Sequence, residues 1–354
     1  MKNKIKTIIF NFITFSLLLT PTIYAAADLE EPQLLLKATQ DRDLVVVKKI
    51  IEGGIDPNTA DNDGRTVLMV ATVENYPEIV RYLLEREDVD LNLQDNNRTT
   101  ALMWASIKGH DKVVKLLLEH HAKPNLQNNE KATALIVASY RGFKNIVKLL
   151  LDHDADPNLQ DSTKTTALMW ASNNGYEGVV KLLLKHNAKP NLQDSTKTTA
   201  LIWASGSGQD KIVKLLLDHD ANPDLQDDEG TTALMEAVVI RRENLVKLLL
   251  DHDADPDLQD NEKTTALMFA SESGQDKIVE LLFEHGANPN LQDNQGRTAD
   301  FLTQDIEIRK MIINERERRK EIAAEIPPFL REKYEAPSEI ADIILKMEGA
   351  KPSQ

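Results

Sequence analysis

The chain has 354 residues, 41% of them hydrophobic and only 5% aromatic, with a formal charge of −15. An acidic body of this kind repels nucleic acid and anionic membrane, and favours basic or apolar partners. The lack of cysteine excludes disulfides, thiol catalysis and Cys-ligated zinc.

Residues 1–27 read as a secretory signal peptide. Lys2, Lys4 and Lys6 precede an apolar run from Thr7 to Leu19, followed by Pro21 and the small residues Ala25-Ala26-Ala27. Cleavage is expected between Ala27 and Asp28, giving a periplasmic or secreted protein. The rival reading is an uncleaved anchor over 7–24. Against it, the run is short for a span of ~20 residues and Asn11 interrupts it.

From there a single phrase organises the chain. Thr-Ala-Leu recurs as Thr133-Ala134-Leu135, Thr166-Ala167-Leu168, Thr199-Ala200-Leu201, Thr232-Ala233-Leu234 and Thr265-Ala266-Leu267, always 33 residues apart. A fixed period of this size marks an array of identical supersecondary units. In the block from Asp161 to Gln193, Asp161 to Lys164 are turn formers and Thr166 is an N-cap. Ala167 to Ser172 then predicts a short helix, and Asn174-Gly175 its end. A second helix is predicted from about Glu177 to Lys185, with Val179, Leu182 and Leu183 at i, i+3, i+4 and Val180 and Leu184 widening the apolar face. Helices this short are unstable alone, so each must bury its face against its neighbours.

Leu34 to Ile51 predicts an N-terminal helix pair. Units begin near Asp61, Asp95, Asn128, Asp161, Asp194, Asp227 and Asp260, with a cap from Asp293. The first interval carries one extra residue near Arg86-Glu87-Asp88. At the far end the frame places Asn314 and Glu315 where earlier units carry leucine, which stops the stacking. Residues 316–354 form a charged tail. Glu315 to Glu325 is predicted helical, Pro327-Pro328 breaks it, and two short helices follow over 329–333 and 337–347.

These blocks resemble the ankyrin repeat: a hairpin tip, a helix opening, a glycine turn and a second helix ending in a Leu-Leu pair, over residues 31–315. The resemblance implies an all-α solenoid of stacked helix-turn-helix units with short hairpin tips, capped at both ends. Several positions depart from the family pattern. The opening proline is alanine and the opening histidine is Met103, Met169 or Ile202, so the usual histidine hydrogen bonds are expected to be missing. The tip glycine survives as Gly64, Gly230 and Gly296 but is Arg98, Lys131, Lys164, Lys197 and Lys263 elsewhere, where the residue must either accept positive φ or reshape the turn. At the end of the second helix His121, Asp154, Asn187, Asp220 and Asp253 stand where the family has glycine, kept here only as Gly286.

No catalytic, cofactor or metal site is predicted. His120, His153, His186, His219, His252 and His285 recur every 33 residues, but neighbouring helix layers lie ~8–10 Å apart, too far for two imidazoles to share a zinc. A helix-terminal structural role is expected. The recurring aspartates sit where turns need them, and Gly206-Ser207-Gly208 lacks the rest of a phosphate loop.

Two features point to binding. Arg98, Lys131, Lys164, Lys197 and Lys263 occupy the tips, with Trp104, Trp170, Trp203 and Phe269 on the adjacent first helices. Ankyrin proteins bind partners through their tips and concave helix face. The resemblance therefore implies a monomeric, non-enzymatic scaffold whose groove, cationic at the lip and aromatic at the floor, takes an acidic or aromatic protein segment. The alternative makes the lysines solvated turn residues and the tryptophans inter-repeat filler. The second feature is the unit from Asp227, where Glu236 replaces the aromatic and Val238-Val239-Ile240-Arg241-Arg242 replaces a polar glycine turn. Apolar residues at an exposed turn point to a contact site, and sequence drift in a tolerant repeat is the favoured alternative. A secreted effector acting on a host protein is the other functional reading.

Overall fold

A computed structural model describes residues 31–325. Residues 1–27, and with them the signal peptide, lie outside this range, as do the two short helices expected after Pro328. The chain divides into two compact units, one ending at Lys123 and the other beginning at Pro124. Among the described residues there are 18 helices and no strand, only two isolated β-bridges. Both units are runs of stacked helix pairs, as the repeat predicted.

The first unit contains α1 (Glu31–Gln40), α2 (Leu44–Glu52), α3 (Val67–Val73), α4 (Pro77–Leu84), α5 (Ala101–Lys108) and α6 (Asp111–Glu119). The first helices α1, α3 and α5 stack in series, and α2, α4 and α6 form a second layer. Asp43 caps α2 by accepting from the Val46 amide at 3.0 Å. The extra residue of the first interval falls after α4, where Arg86 pairs with Asp88 at 2.7 Å and lies over the Tyr82 ring.

The second unit continues with α7 (Ala134–Arg141), α8 (Lys144–Leu151), α9 (Ala167–Asn173), α10 (Glu177–Lys185), α11 (Ala200–Gly206) and α12 (Asp210–Leu217). There follow α13 (Ala233–Val239), α14 (Glu243–Leu250), α15 (Ala266–Glu272), α16 (Asp276–Glu284), α17 (Ala299–Leu302) and α18 (Ile306–Glu325). The core is laid down at equivalent positions in the pairs from α7 to α14, whose second helices each bury four side chains, while α16 leaves Phe283 half-buried. In α10 the side chains of Val179, Val180, Leu183 and Leu184 are buried while Leu182 is only half-buried. Each such side chain contributes about 1.5–3 kcal/mol relative to exposure, which is what holds helices of seven to nine residues in place.

Threonine caps the first helices as expected: Thr133, Thr166, Thr199, Thr232 and Thr265 each accept from the amide three residues on. The missing histidine bonds are partly replaced. At Thr166 the backbone N–H donates to the Met169 sulfur at 3.4 Å, and Thr66 does the same to Met69. The isoleucines Ile136 and Ile202 carry no acceptor for this bond.

Asparagines bind successive repeats together. Asn158 accepts from the Lys189 amide at 2.8 Å and donates to the Asn187 carbonyl at 3.3 Å. Asn125 and Asn191 do likewise with their own next repeats. Asp224 and Asp257 take over the accepting half, from Asp255 at 2.8 Å and Asn288 at 2.6 Å. An aspartate side chain has no N–H to give the carbonyls that the period places opposite, those of Asp253 and Gly286. Asp224→Asn and Asp257→Asn are each expected to stabilise the chain by about 1 kcal/mol, read as a higher urea midpoint at unchanged slope.

The C-terminal end closes differently from expectation. Asn314 is exposed, but Glu315 is buried and pairs with Arg319 at 3.0 Å. Arg319, 5% exposed, donates to the Ala287 carbonyl at 2.7 Å. The helix predicted from Glu315 begins at Ile306 and runs through this pair without a break. At Glu315 leucine is thus replaced by a hydrogen-bonded ion pair, which occupies the end of the stack.

Candidate partner-binding face

The hairpin tips are closed by their own hydrogen bonds. Asp161 Oδ1 accepts from the Thr163 and Thr165 amides, both at 2.9 Å, and the Asp161 carbonyl accepts from the Lys164 amide at 2.9 Å. Closing that turn holds Lys164 at φ 59°, and Lys131, Lys197 and Lys263 lie between 56° and 59°. The lysines accept positive φ rather than reshape the turn. Neighbouring tips are joined through the backbone: Ser162 N to Glu130 O at 2.7 Å, Ser195 N to Thr163 O at 2.8 Å, and Asp228 N to Thr196 O at 2.9 Å.

A glutamine ladder reinforces them. Gln127, Gln160, Gln193, Gln226 and Gln259 each donate from Nε2 to the left-handed residue of their own tip and to the carbonyl of the next glutamine, the latter at 2.9–3.1 Å. Nothing in the sequence marks these residues beyond their period; the reach of one amide to two carbonyls appears only in three dimensions.

The lysine side chains are exposed. Lys197 is tied to Asp228 of the next tip at 3.0 Å. In the first unit Arg98 is likewise exposed at φ 58°, and Trp104 donates to Asp95 Oδ2 at 3.0 Å.

The tryptophans of the second unit are half-buried, and the turns hold them. Trp170 Nε1 donates to Asp161 Oδ2 at 3.2 Å and Trp203 Nε1 to Asp194 Oδ2 at 3.1 Å. The same aspartate therefore shapes the tip with one oxygen and orients the indole with the other. Tyr140, 46% exposed, meets Trp170 edge to face with ring centroids 5.1 Å apart. Arg141 lies 5.8 Å from the Tyr140 ring. Tyr140, Trp170 and Trp203 lie on the successive first helices α7, α9 and α11 and together form an aromatic floor beside the tips bearing Lys131, Lys164 and Lys197, with direct ring contact between the first two. Phe269 holds the equivalent position on α15, half-buried and with no indole N–H to anchor it.

Glu236 interrupts that row. It is half-buried on α13, and its carboxyl group has no hydrogen bond or ion pair among the described residues. Burial, followed by the charges of Asp227 and Glu229, pushes its carboxyl above the ordinary range. The fold favours the neutral form, so this contribution to stability is fully present below the ordinary glutamate value near ~4.3 and is lost as the pH rises through the raised one. Glu236→Gln is expected to raise the neutral-pH denaturation midpoint, with the advantage vanishing as the pH falls below about 4.

The apolar turn after α13 is only partly the exposed patch that was expected. Val238 is fully buried in the core, Val239 is 55% exposed and Ile240 is half-buried. Arg241 takes the left-handed position at φ 58° that glycine holds at Gly142, Gly175, Gly208 and Gly274, and its side chain is exposed. Arg242 is held by Asp210 at 3.1 Å.

The histidines serve the helix ends. His153, His219 and His285 place Nδ1 at 2.8–2.9 Å from the carbonyl four residues back. A carbonyl only accepts, so Nδ1 carries the proton in each. Among the described residues no three metal-ligating side chains converge.

Stacked helix pairs with threonine-capped openings and interlocked hairpin tips define a tandem-repeat scaffold. A family profile described as "Ankyrin repeats (3 copies)" matches residues 34–128, 120–194 and 201–293. The chain belongs to the ankyrin-repeat family, whose members are scaffolds for protein–protein interaction on a typically non-enzymatic fold. A search of curated proteins found no match.

Proposed function

We propose that the chain is a non-enzymatic scaffold that binds an extended protein segment on the first-helix face and tips of its second unit. The observation that carries this reading is the Tyr140–Trp170–Trp203 floor beside exposed lysines, in which each indole is oriented by its own tip aspartate and Tyr140 packs edge to face on Trp170. Pre-oriented aromatics lose little entropy on binding, and such residues dominate interface energetics. Lys131 and Lys164 suit acidic residues at one edge of the segment; Lys197, already paired with Asp228, contributes less. Residues 1–27 direct the protein out of the cytoplasm, so the partner is met in the periplasm or beyond. The aromatic floor does not favour a host-protein target over a periplasmic one.

The test is site-specific photo-crosslinking in the producing cell, with the probe at Tyr140 or Lys164 and, as control, at the exposed Lys181 on α10. Adducts to one protein from the first two positions and none from the third are expected. Adducts from Lys181 alone would remove the reading.

A further inference from the structure

The floor of the proposed face contains one residue that neither an acidic nor an apolar ligand would satisfy. Glu236 occupies the position held by Trp170 and Trp203 in the preceding repeats and by Phe269 in the next. An indole there donates to the aspartate of its own tip; a carboxylate cannot, and it faces Asp227 instead. Its charge is half removed from water and, among the described residues, nothing compensates it. A desolvated charge without a partner is costly, and a cation delivered by a ligand recovers that cost on binding.

Gly206, on the facing side of α11, has no side chain. A Cβ added to it would lie 3.0 Å from Glu236 Oε2, so the carboxylate leans into the notch that the glycine leaves. Trp203 is three residues before Gly206 and therefore on the same helix face. The tip of this repeat carries Gly230 where its neighbours carry Lys197 and Lys263, so no lysine from its own turn reaches over the carboxylate. Asp228 is engaged by Lys197, and Glu229 adds negative potential nearby.

We infer that the recess formed by Gly206, Trp203 and Glu236 is a pocket for one basic side chain, an arginine foremost, of the bound polypeptide. A guanidinium matches a carboxylate with paired N–H donors and stacks on an indole face, which an ammonium does less well. This rests on the face being the binding surface and adds the sign of charge required at one point along it. The bound segment would then carry acidic residues towards Lys131 and Lys164 and a basic residue two repeats further on.

The test is selection of a random-peptide display library on the full chain, followed by titration of the enriched peptides. Peptides that lose binding in Trp170→Ala/Trp203→Ala are expected to share a basic residue. Replacing that residue by alanine should cost about ten-fold or more in affinity against the wild type and almost nothing against Glu236→Gln. Face-dependent peptides with no basic residue, or with equal affinity for Glu236→Gln, would overturn the pocket and leave the binding face standing. If no peptide depends on Trp170 and Trp203, the face falls and the pocket with it.

Discussion

Trp170→Ala combined with Trp203→Ala is expected to weaken partner binding by about a hundred-fold or more, because interface tryptophans commonly cost ~2 kcal/mol or more each when truncated. The chain should stay folded. Both rings are only half-buried, whereas the residues that join α9 and α11 to the core, Leu168, Ala171, Leu201 and Ala204, are fully buried and untouched. Each substitution also frees Asp161 or Asp194 Oδ2 from its indole, but Oδ1 still closes the tip. Unchanged far-ultraviolet circular dichroism with lost binding in calorimetry is the expected pair of results. Trp170→Phe/Trp203→Phe keeps the apolar floor and loses only the anchoring bonds, so it should retain part of the affinity.

Leu183→Ala is the second large effect, expected to destabilise by about 2–5 kcal/mol. Leu183 is completely buried in α10, and α10 stacks directly on α8 and α12. A cavity there loosens the contacts of both neighbours, and a repeat array has no distant contacts to compensate. Leu182→Ala, one residue away but half-buried, should cost well under half as much. Chemical denaturation of the two variants decides it. Equal losses would mean that the second helix is not anchored by the face assigned to it.

The contrast between these two leucines shows what could be read before the structure was known. Spacing alone put Val179, Leu182 and Leu183 on one face, and the second helix ends where it was expected, at Glu177 and Lys185. Which of two adjacent leucines turns fully inward depends on the neighbouring helix, and no single repeat contains that information. The left-handed positions were half legible: the family's glycine offset falls on Lys131, Lys164, Lys197 and Lys263, but only the structure shows that these residues accept positive φ instead of reshaping the turn.

Other features were hidden because they join residues of different repeats, or of distant places in one. The indole of Trp170 bonds to Asp161 nine residues earlier. Gln160 reaches the carbonyl of Gln193. Arg319 ends the stack by bonding to Ala287, 32 residues earlier, so a stretch that reads as solvated charge is partly interior. Glu236 was visible as an oddity in the row of aromatics, but its lack of a counter-charge could be seen only with every neighbour in place.

Hydroxyl-radical footprinting of the full chain, free and bound to the protein captured by crosslinking, tests the central claim most directly. The account predicts that Tyr140, Trp170 and Trp203 lose reactivity on binding while Tyr82, in the first unit, and Leu182, on the opposite helix layer, keep theirs. Protection of Leu182 with Trp170 and Trp203 unchanged would contradict it.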